Sequence, residues 1–229
     1  ARFQLNLFKV APKFYITVII SILIFRKIMK THIEDFKNKV DLALKALPTE
    51  EIAKALNILE AVYERDGRIY VFGNGGSLAI ATHWVSDFNK TVFSHHLDKH
   101  HRRFQAIRVP TTEEELTAWA NDAGFDMVFA GPLENYLQDP DVVIAISSSG
   151  ASPNVIKAVE LARSRKVPVI GISGFGSDNQ LNQLATVKIH VPAEKGEYEI
   201  VEGVHGIILH LMTKYFKDYF DHIVAKSEN

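Results

Sequence analysis

The sequence predicts an α/β fold in which one parallel sheet is wound by helices on both sides. Three observations carry that expectation. Two short runs, Arg68–Phe72 and Asp141–Ile146, are almost continuously apolar, as strands buried on both faces must be. Each passes directly into a loop rich in Gly, Ser or Asn that opens a helix: Gly73-Asn74-Gly75-Gly76-Ser77 after the first, Ser147-Ser148-Ser149-Gly150-Ala151-Ser152-Pro153 after the second. Strand-like runs near 104–109, 167–172 and 187–191 alternate with helical stretches, which makes right-handed crossovers and a doubly wound sheet the natural topology.

Along the chain, the first 28 residues stand apart. Phe14–Phe25 is strongly apolar and flanked by Lys13, Arg26 and Lys27. It is short for a transmembrane helix, and basic residues follow where a signal peptide would place small ones. The expectation is a non-domain leader over 1–28, read either as upstream translated sequence or as a segment touching a membrane surface or packing as an extra helix. A single domain then runs over 29–229. It begins with a helical hairpin over 31–65, because apolar residues recur at helical spacing on both sides of Pro48-Thr49. Thr112 followed by Glu115 signals a capping box and a helix through Ala120. Ser152 at the N-cap and Pro153 at the first helical position start a helix running to about Ser164. The last helix is expected from Tyr198 to about Tyr219.

Composition narrows the function classes. A chain of 229 residues buries a sizeable core without staples. A formal charge of −1 gives no general basis for binding nucleic acid or an anionic membrane. With no cysteine there is no disulfide, thiol catalysis or cysteine zinc site, which is compatible with a reducing cytoplasm.

The two loops carry the chemistry. Glycine lets backbone approach an anion closely, the helix start presents free amides and the positive end of its dipole, and serine hydroxyls add neutral donors. A single turn of this composition is ordinary strand-to-helix punctuation. Two of them in one small domain point to one phosphorylated small molecule at the carboxyl edge of the sheet. The first loop lacks the Gly-Lys-Ser/Thr ending of a nucleotide P-loop, so triphosphate hydrolysis is disfavoured. Gly171–Gly176 lacks the third glycine of a dinucleotide fingerprint.

The two cradles, the stretch Leu116–Asp126 with Asn121-Asp122, and the histidine-bearing last helix resemble the sugar isomerase (SIS) domain family, and within it the phosphoheptose isomerases. The resemblance covers roughly Ile33 to the end. It implies a three-layer αβα fold with a five-stranded parallel sheet flanked by helices. It also implies a homotetramer with active sites at subunit contacts, and an aldose–ketose isomerase acting on sedoheptulose 7-phosphate in bacterial heptose biosynthesis. Carried over residue by residue, it puts the phosphate on Ser147, Ser148, Ser149 and Ser152. Asn74, Gly75, Gly76, Ser77, Asp122, Glu199 and Glu202 fall among the substrate contacts, and Asp87 and His210 become the acid–base pair. His83, Asp87, Glu202 and His210 match zinc ligands seen in some members.

The residues themselves are compatible with that chemistry. Moving a proton between two carbons needs one acid and one base. His83 and Asp87 are four residues apart on a helix and share a face, and the last helix supplies Glu202, His205 and His210. Nitrogen and carboxylate ligands suit zinc. Three positions depart from the family pattern: Asp87 stands where glutamate is usual, Glu202 where glutamine is, and Gly203 where glutamate is. Residues eight apart on a helix are about 12 Å apart along its axis. Glu202 and His210 therefore share one metal only if the helix starts late or bends near Gly203 and Gly206. His205 reads as structural. His95, His96, His100 and His101 with Arg102 and Arg103 read as a polar connecting loop. Two alternatives stay open: an isomerase or epimerase of another phosphosugar, and a non-catalytic SIS protein of the kind that binds the replication initiator.

Overall fold

A computed structural model describes the backbone of residues 7–95 and 102–227, with side chains for 25–95 and 102–226. The chain divides into two units, residues 1–42 and 43–229. The first is helical from Leu7, as part of α1 (Leu7–Lys45). That helix runs through residue 28 without a break, whereas the sequence suggested a change of character there. Phe25, Met29, Ile33 and Phe36 lie at helical spacing and are exposed. No helix among the described residues is long and apolar enough to cross a membrane.

The second unit holds the sheet. After α2 (Thr49–Glu64) come β1 (Arg68–Gly73), α3 (Gly75–Asn89), β2 (Gln105–Arg108), α4 (Glu113–Asp122) and α5 (Ala130–Tyr136). Then follow β3 (Val142–Ser147), α6 (Pro153–Ser164), β4 (Val169–Gly174), α7 (Gln180–Leu184), β5 (Val187–Val191) and α8 (Tyr198–Ser227). All five strands are parallel, in the order β2-β1-β3-β4-β5. Every residue of β3 and β4 is buried, the price of lying between helical layers. This is the three-layer αβα arrangement that the sequence implied.

The strand order places the site. From β1 the chain steps outward to β2, then returns to the other side of β1 to form β3. Such a reversal leaves a crevice at the carboxyl ends of the two central strands, where ligands of open α/β sheets bind. Both cradles open into that crevice. Gly73 keeps them close: a Cβ there would stand 2.6 Å from the Ile146 carbonyl oxygen and 2.7 Å from Ser77 Cβ.

The elements differ from expectation mainly at their ends. β3 and β4 each start and finish later than their apolar runs suggest, so Ser147 and Gly174 close strands rather than open loops. α8 extends to Ser227, because Phe216, Phe220 and Val224 continue its buried stripe. The short α5 and α7 give too few turns for periodicity to show. At the start of α4, Thr112 Oγ1 accepts from the Glu115 amide at 3.1 Å, as a capping box requires. Glu115 reaches back to the amide of Thr111 instead of that of Thr112.

Candidate active site

At the crevice, an open recess of about 110 Å³ is lined by Asn74, Ser77, Ile146, Ser147, Ser148, Ser149, Ser152, Tyr198 and Glu202. Among the described residues that line it there is no lysine or arginine. An anion bound there would be held by hydroxyls, amides and the starts of α3 and α6. Ser147 Oγ lies 3.3 Å from Ser152 Oγ and 3.5 Å from Ser149 Oγ, so three hydroxyls converge. Ser148 Oγ is buried and finds no hydrogen-bond partner among the described residues. Ser152 sits at the N-cap of α6 as expected, but its hydroxyl makes no cap bond and turns toward Ser147.

Asn74 and Asn154 tie the two cradles together. Each side-chain amide donates to the other's oxygen, at 2.9 and 2.8 Å. Asn154 is 2% exposed, and sequence reasoning placed it at the helix start and at the end of the Ser-Pro-Asn motif without seeing its bond to Asn74. Its signal was an Asn at the mouth of each cradle. Gly75 has φ +51°, a conformation that favours glycine. Gly76 leaves room for Glu202, whose Oε2 would lie 2.1 Å from a Cβ at that position. The Glu202 carboxylate thus sits against the first turn of α3. Burial, and after it the charge of Glu199, holds its pKa above the usual carboxylate range. Glu199 itself is exposed on the first turn of α8.

Further along the same two helices lies a second cluster. His83 and Asp87 on α3 meet His210 on α8, and one ligand atom from each can be chosen so that all lie within 4.8 Å of one another. Asp87 Oδ2 is 3.7 Å from both His83 Nε2 and His210 Nδ1. The Asp87 side chain is 11% exposed, against 53% and 60% for the two histidines. Thr213 Oγ1 donates to Asp87 Oδ2 at 3.2 Å and holds the carboxylate from below. Sequence reasoning missed Thr213, which stands one turn after His210 and shows its role only when α3 and α8 meet. The His83 and His210 rings stand edge to face, 5.0 Å between centroids.

The set of four ligands implied by the resemblance is brought together only in part. α8 is continuous from Tyr198, and Glu202 faces the serine recess rather than the His83–Asp87–His210 cluster. Asp122 also stands apart, beside a separate recess formed with Ala118, Trp119 and Ala123, and its carboxylate accepts from Asn121 at 2.7 Å. His205 is fully buried, with Nε2 3.2 Å from the Ser173 carbonyl. Of the histidine-rich loop, His95 pairs with Asp221 at 2.9 Å, while His96, His100 and His101 lie outside the described residues.

A parallel sheet whose central strands feed two serine- and glycine-rich cradles at the reversal of strand order is the architecture of an SIS-type α/β protein. Residues 34–174 match the SIS domain, and the chain belongs to that family. It is 31% identical to the phosphoheptose isomerase of Bordetella avium over 191 residues, covering 80% of this chain and 90% of that protein. A phosphoheptose isomerase of Campylobacter jejuni is likewise 31% identical, over 170 residues, 74% of this chain and 87% of that one. Among solved structures, the phosphoheptose isomerase of Neisseria gonorrhoeae superposes with a TM-score of 0.72 at 25% identity, covering 85% of this chain and 99% of that chain. That of Francisella tularensis also gives 0.72, at 26% identity, with coverages of 83% and 96%.

Proposed function

We propose that this chain is an aldose–ketose isomerase that converts sedoheptulose 7-phosphate to D-glycero-D-manno-heptose 7-phosphate, feeding bacterial heptose biosynthesis. The observation that carries the proposal is the spacing of two centres on the same pair of helices. Ser77 and Glu202 line the serine recess, and His83 and His210 follow them by six and eight residues. At 1.5 Å per residue, the acid–base cluster lies about 9–12 Å along the helices from the phosphate end. An extended sugar phosphate of heptose size spans such a distance and a triose phosphate does not. The relatives named phosphoheptose isomerase support the same reading.

In this reading Ser147, Ser148, Ser149 and Ser152 hold the phosphate. The unpartnered Ser148 hydroxyl gains its bond when the ligand enters. Asn74, Gly75, Gly76, Ser77, Glu199 and Glu202 flank the sugar chain, and Asp122 is contributed from its separate surface. Asp87 and His210 shuttle the proton between C1 and C2. The buried Asp87 carboxylate is held by Thr213, and the exposed His210 imidazole reaches the carbonyl side. The proton leaves C1 as the C2 carbonyl oxygen gains one, giving an enediol, and a proton then returns to C2 as the C1 hydroxyl releases its own, leaving the aldehyde.

Two imidazoles and one carboxylate form a donor set of the kind that binds catalytic zinc with a position open to substrate. His83, Asp87 and His210 would hold the ion, Glu202 being engaged elsewhere. When bound, zinc supplies Lewis-acid polarisation of the carbonyl oxygen. We assign the active form as a cytoplasmic homotetramer with sites at subunit contacts. Exposed Ile207, Leu211 and Tyr215, one turn apart on α8 and flanking His210, support an assembly that covers this face. The experiment is turnover of sedoheptulose 7-phosphate by the purified protein against a panel of other ketose phosphates. Selective use of a shorter phosphosugar would replace the heptose assignment, and no turnover of any would remove the isomerase.

A further inference from the structure

The serine cradle is held from behind by residues that do not line it. Gly150 turns the loop with φ +62°, and a Cβ on it would stand 2.1 Å from Asn179 Oδ1, so the Asn179 side chain lies directly under the turn. The Leu181 amide donates to the Gly150 carbonyl at 2.8 Å, and the Gly174 amide donates to the Ser148 carbonyl at 3.0 Å. The donors are the last residue of β4 and the second residue of α7, and they bracket the segment that joins the two elements. Asn179 organises that segment. Its Nδ2 donates to Ser173 Oγ at 3.1 Å and to the Gly176 carbonyl at 2.8 Å, and its Oδ1 accepts from the Asn182 amide at 2.9 Å. Ser173 Oγ in turn donates to Asn182 Oδ1 at 2.8 Å, and Asn182 Nδ2 donates to the Ser177 carbonyl. His205 Nε2 meets the Ser173 carbonyl from the opposite side.

We propose that Asn179 is a positioning residue for phosphate binding, acting through Gly150 and the Ser148 carbonyl rather than by touching the ligand. The Ser147–Ser152 loop must present three hydroxyls at one point, and loops of that kind are soft unless something fixes their carbonyls. Asn179 connects both anchored carbonyls, at Ser148 and Gly150, to one rigid turn. Removing it leaves every serine in place and frees the loop to spread. The cost falls on phosphate affinity, since His83, Asp87 and His210 stand on other elements.

This inference rests on the reading of the serine recess as the phosphate site, so its test compares two variants. Asn179→Ser retains a side-chain oxygen for capping α7 and loses all three Nδ2 bonds, to Ser173, Gly174 and Gly176, and the support under Gly150. The expected result is an increase of about tenfold in the inhibition constant of inorganic phosphate and in KM, the size of one lost charge-assisted hydrogen bond, with kcat retained. Asn179→Asp keeps size and cap and puts a negative charge behind the anion. It serves where the serine variant folds poorly, and its increase is expected to be larger. Ser149→Ala is measured beside them. Weakened phosphate binding in Ser149→Ala but wild-type binding in both Asn179 variants overturns the positioning role alone. Unchanged binding in Ser149→Ala overturns the cradle and this proposal with it. A fall in melting temperature with KM and the phosphate constant unmoved makes Asn179 merely structural and also overturns it.

Discussion

In the proposed reaction Asp87 concentrates the chemistry in one carboxylate: buried, held by Thr213, and equidistant from two exposed imidazoles. Asp87→Asn removes the charge at nearly constant volume and is expected to lower kcat by about 10²–10⁴-fold with little change in KM, as loss of an acid–base group does. His210→Ala is expected to act in the same direction. Ser149→Ala should do the reverse, raising KM about tenfold or more while kcat holds, because one donor to the phosphate is lost. Steady-state kinetics on sedoheptulose 7-phosphate separates the two patterns. At this scale the sequence was informative where chemistry is local. His83 and Asp87 share a helical face at a spacing of four, and the serines cluster in one loop. Thr213 was illegible, and so was the pairing of Asn154 with Asn74, because each contact joins residues over 70 apart in the chain. Glu202 was legible as a site residue but not as to which of two centres it serves, which depends on where α8 begins.

α8 carries both His210, the proposed acid–base histidine, and the anchor of the core. His205, five residues before His210, is buried beneath Ser173, and burial drives its pKa from 6.5 down to about 4. In the folded state it stays neutral at pH 5, while in the unfolded chain it takes up a proton below about pH 6.5. Stability should therefore be complete above pH 6.5 and decline as pH falls toward 4, by up to about 3 kcal/mol from this group. Urea unfolding at pH 7.5 and pH 5 measures it, and His205→Gln should show a shallower decline. Further along α8, Phe216 packs against Phe88, Phe104 and Phe220. Phe216→Ala should destabilise by about 3–5 kcal/mol in the same assay. Strands and long helices were legible because continuous apolar runs and 3.6-residue periodicity are strong signals, and β5 lies where its run placed it. α5 and α7 were not, being shorter than the window in which periodicity becomes visible.

For the whole molecule, the sheet order sets two cradles at the reversal between β1 and β3, and the His83–Asp87–His210 cluster, the proposed proton-transfer centre, lies farther down α3 and α8. The core and both centres lie within residues 43–229, so deleting residues 1–28 should leave turnover intact. Sedimentation of the 229-residue chain and of the shortened chain measures whether the proposed tetramer forms and whether it survives the deletion. The most direct measurement is to incubate the metal-free and zinc-restored 229-residue protein with sedoheptulose 7-phosphate and to follow aldose formation by NMR. Heptose 7-phosphate formed in the zinc-restored sample alone is the expected result, joining the serine recess to the His83–Asp87–His210 cluster in one reaction. Absence of aldose from both samples would contradict the isomerase.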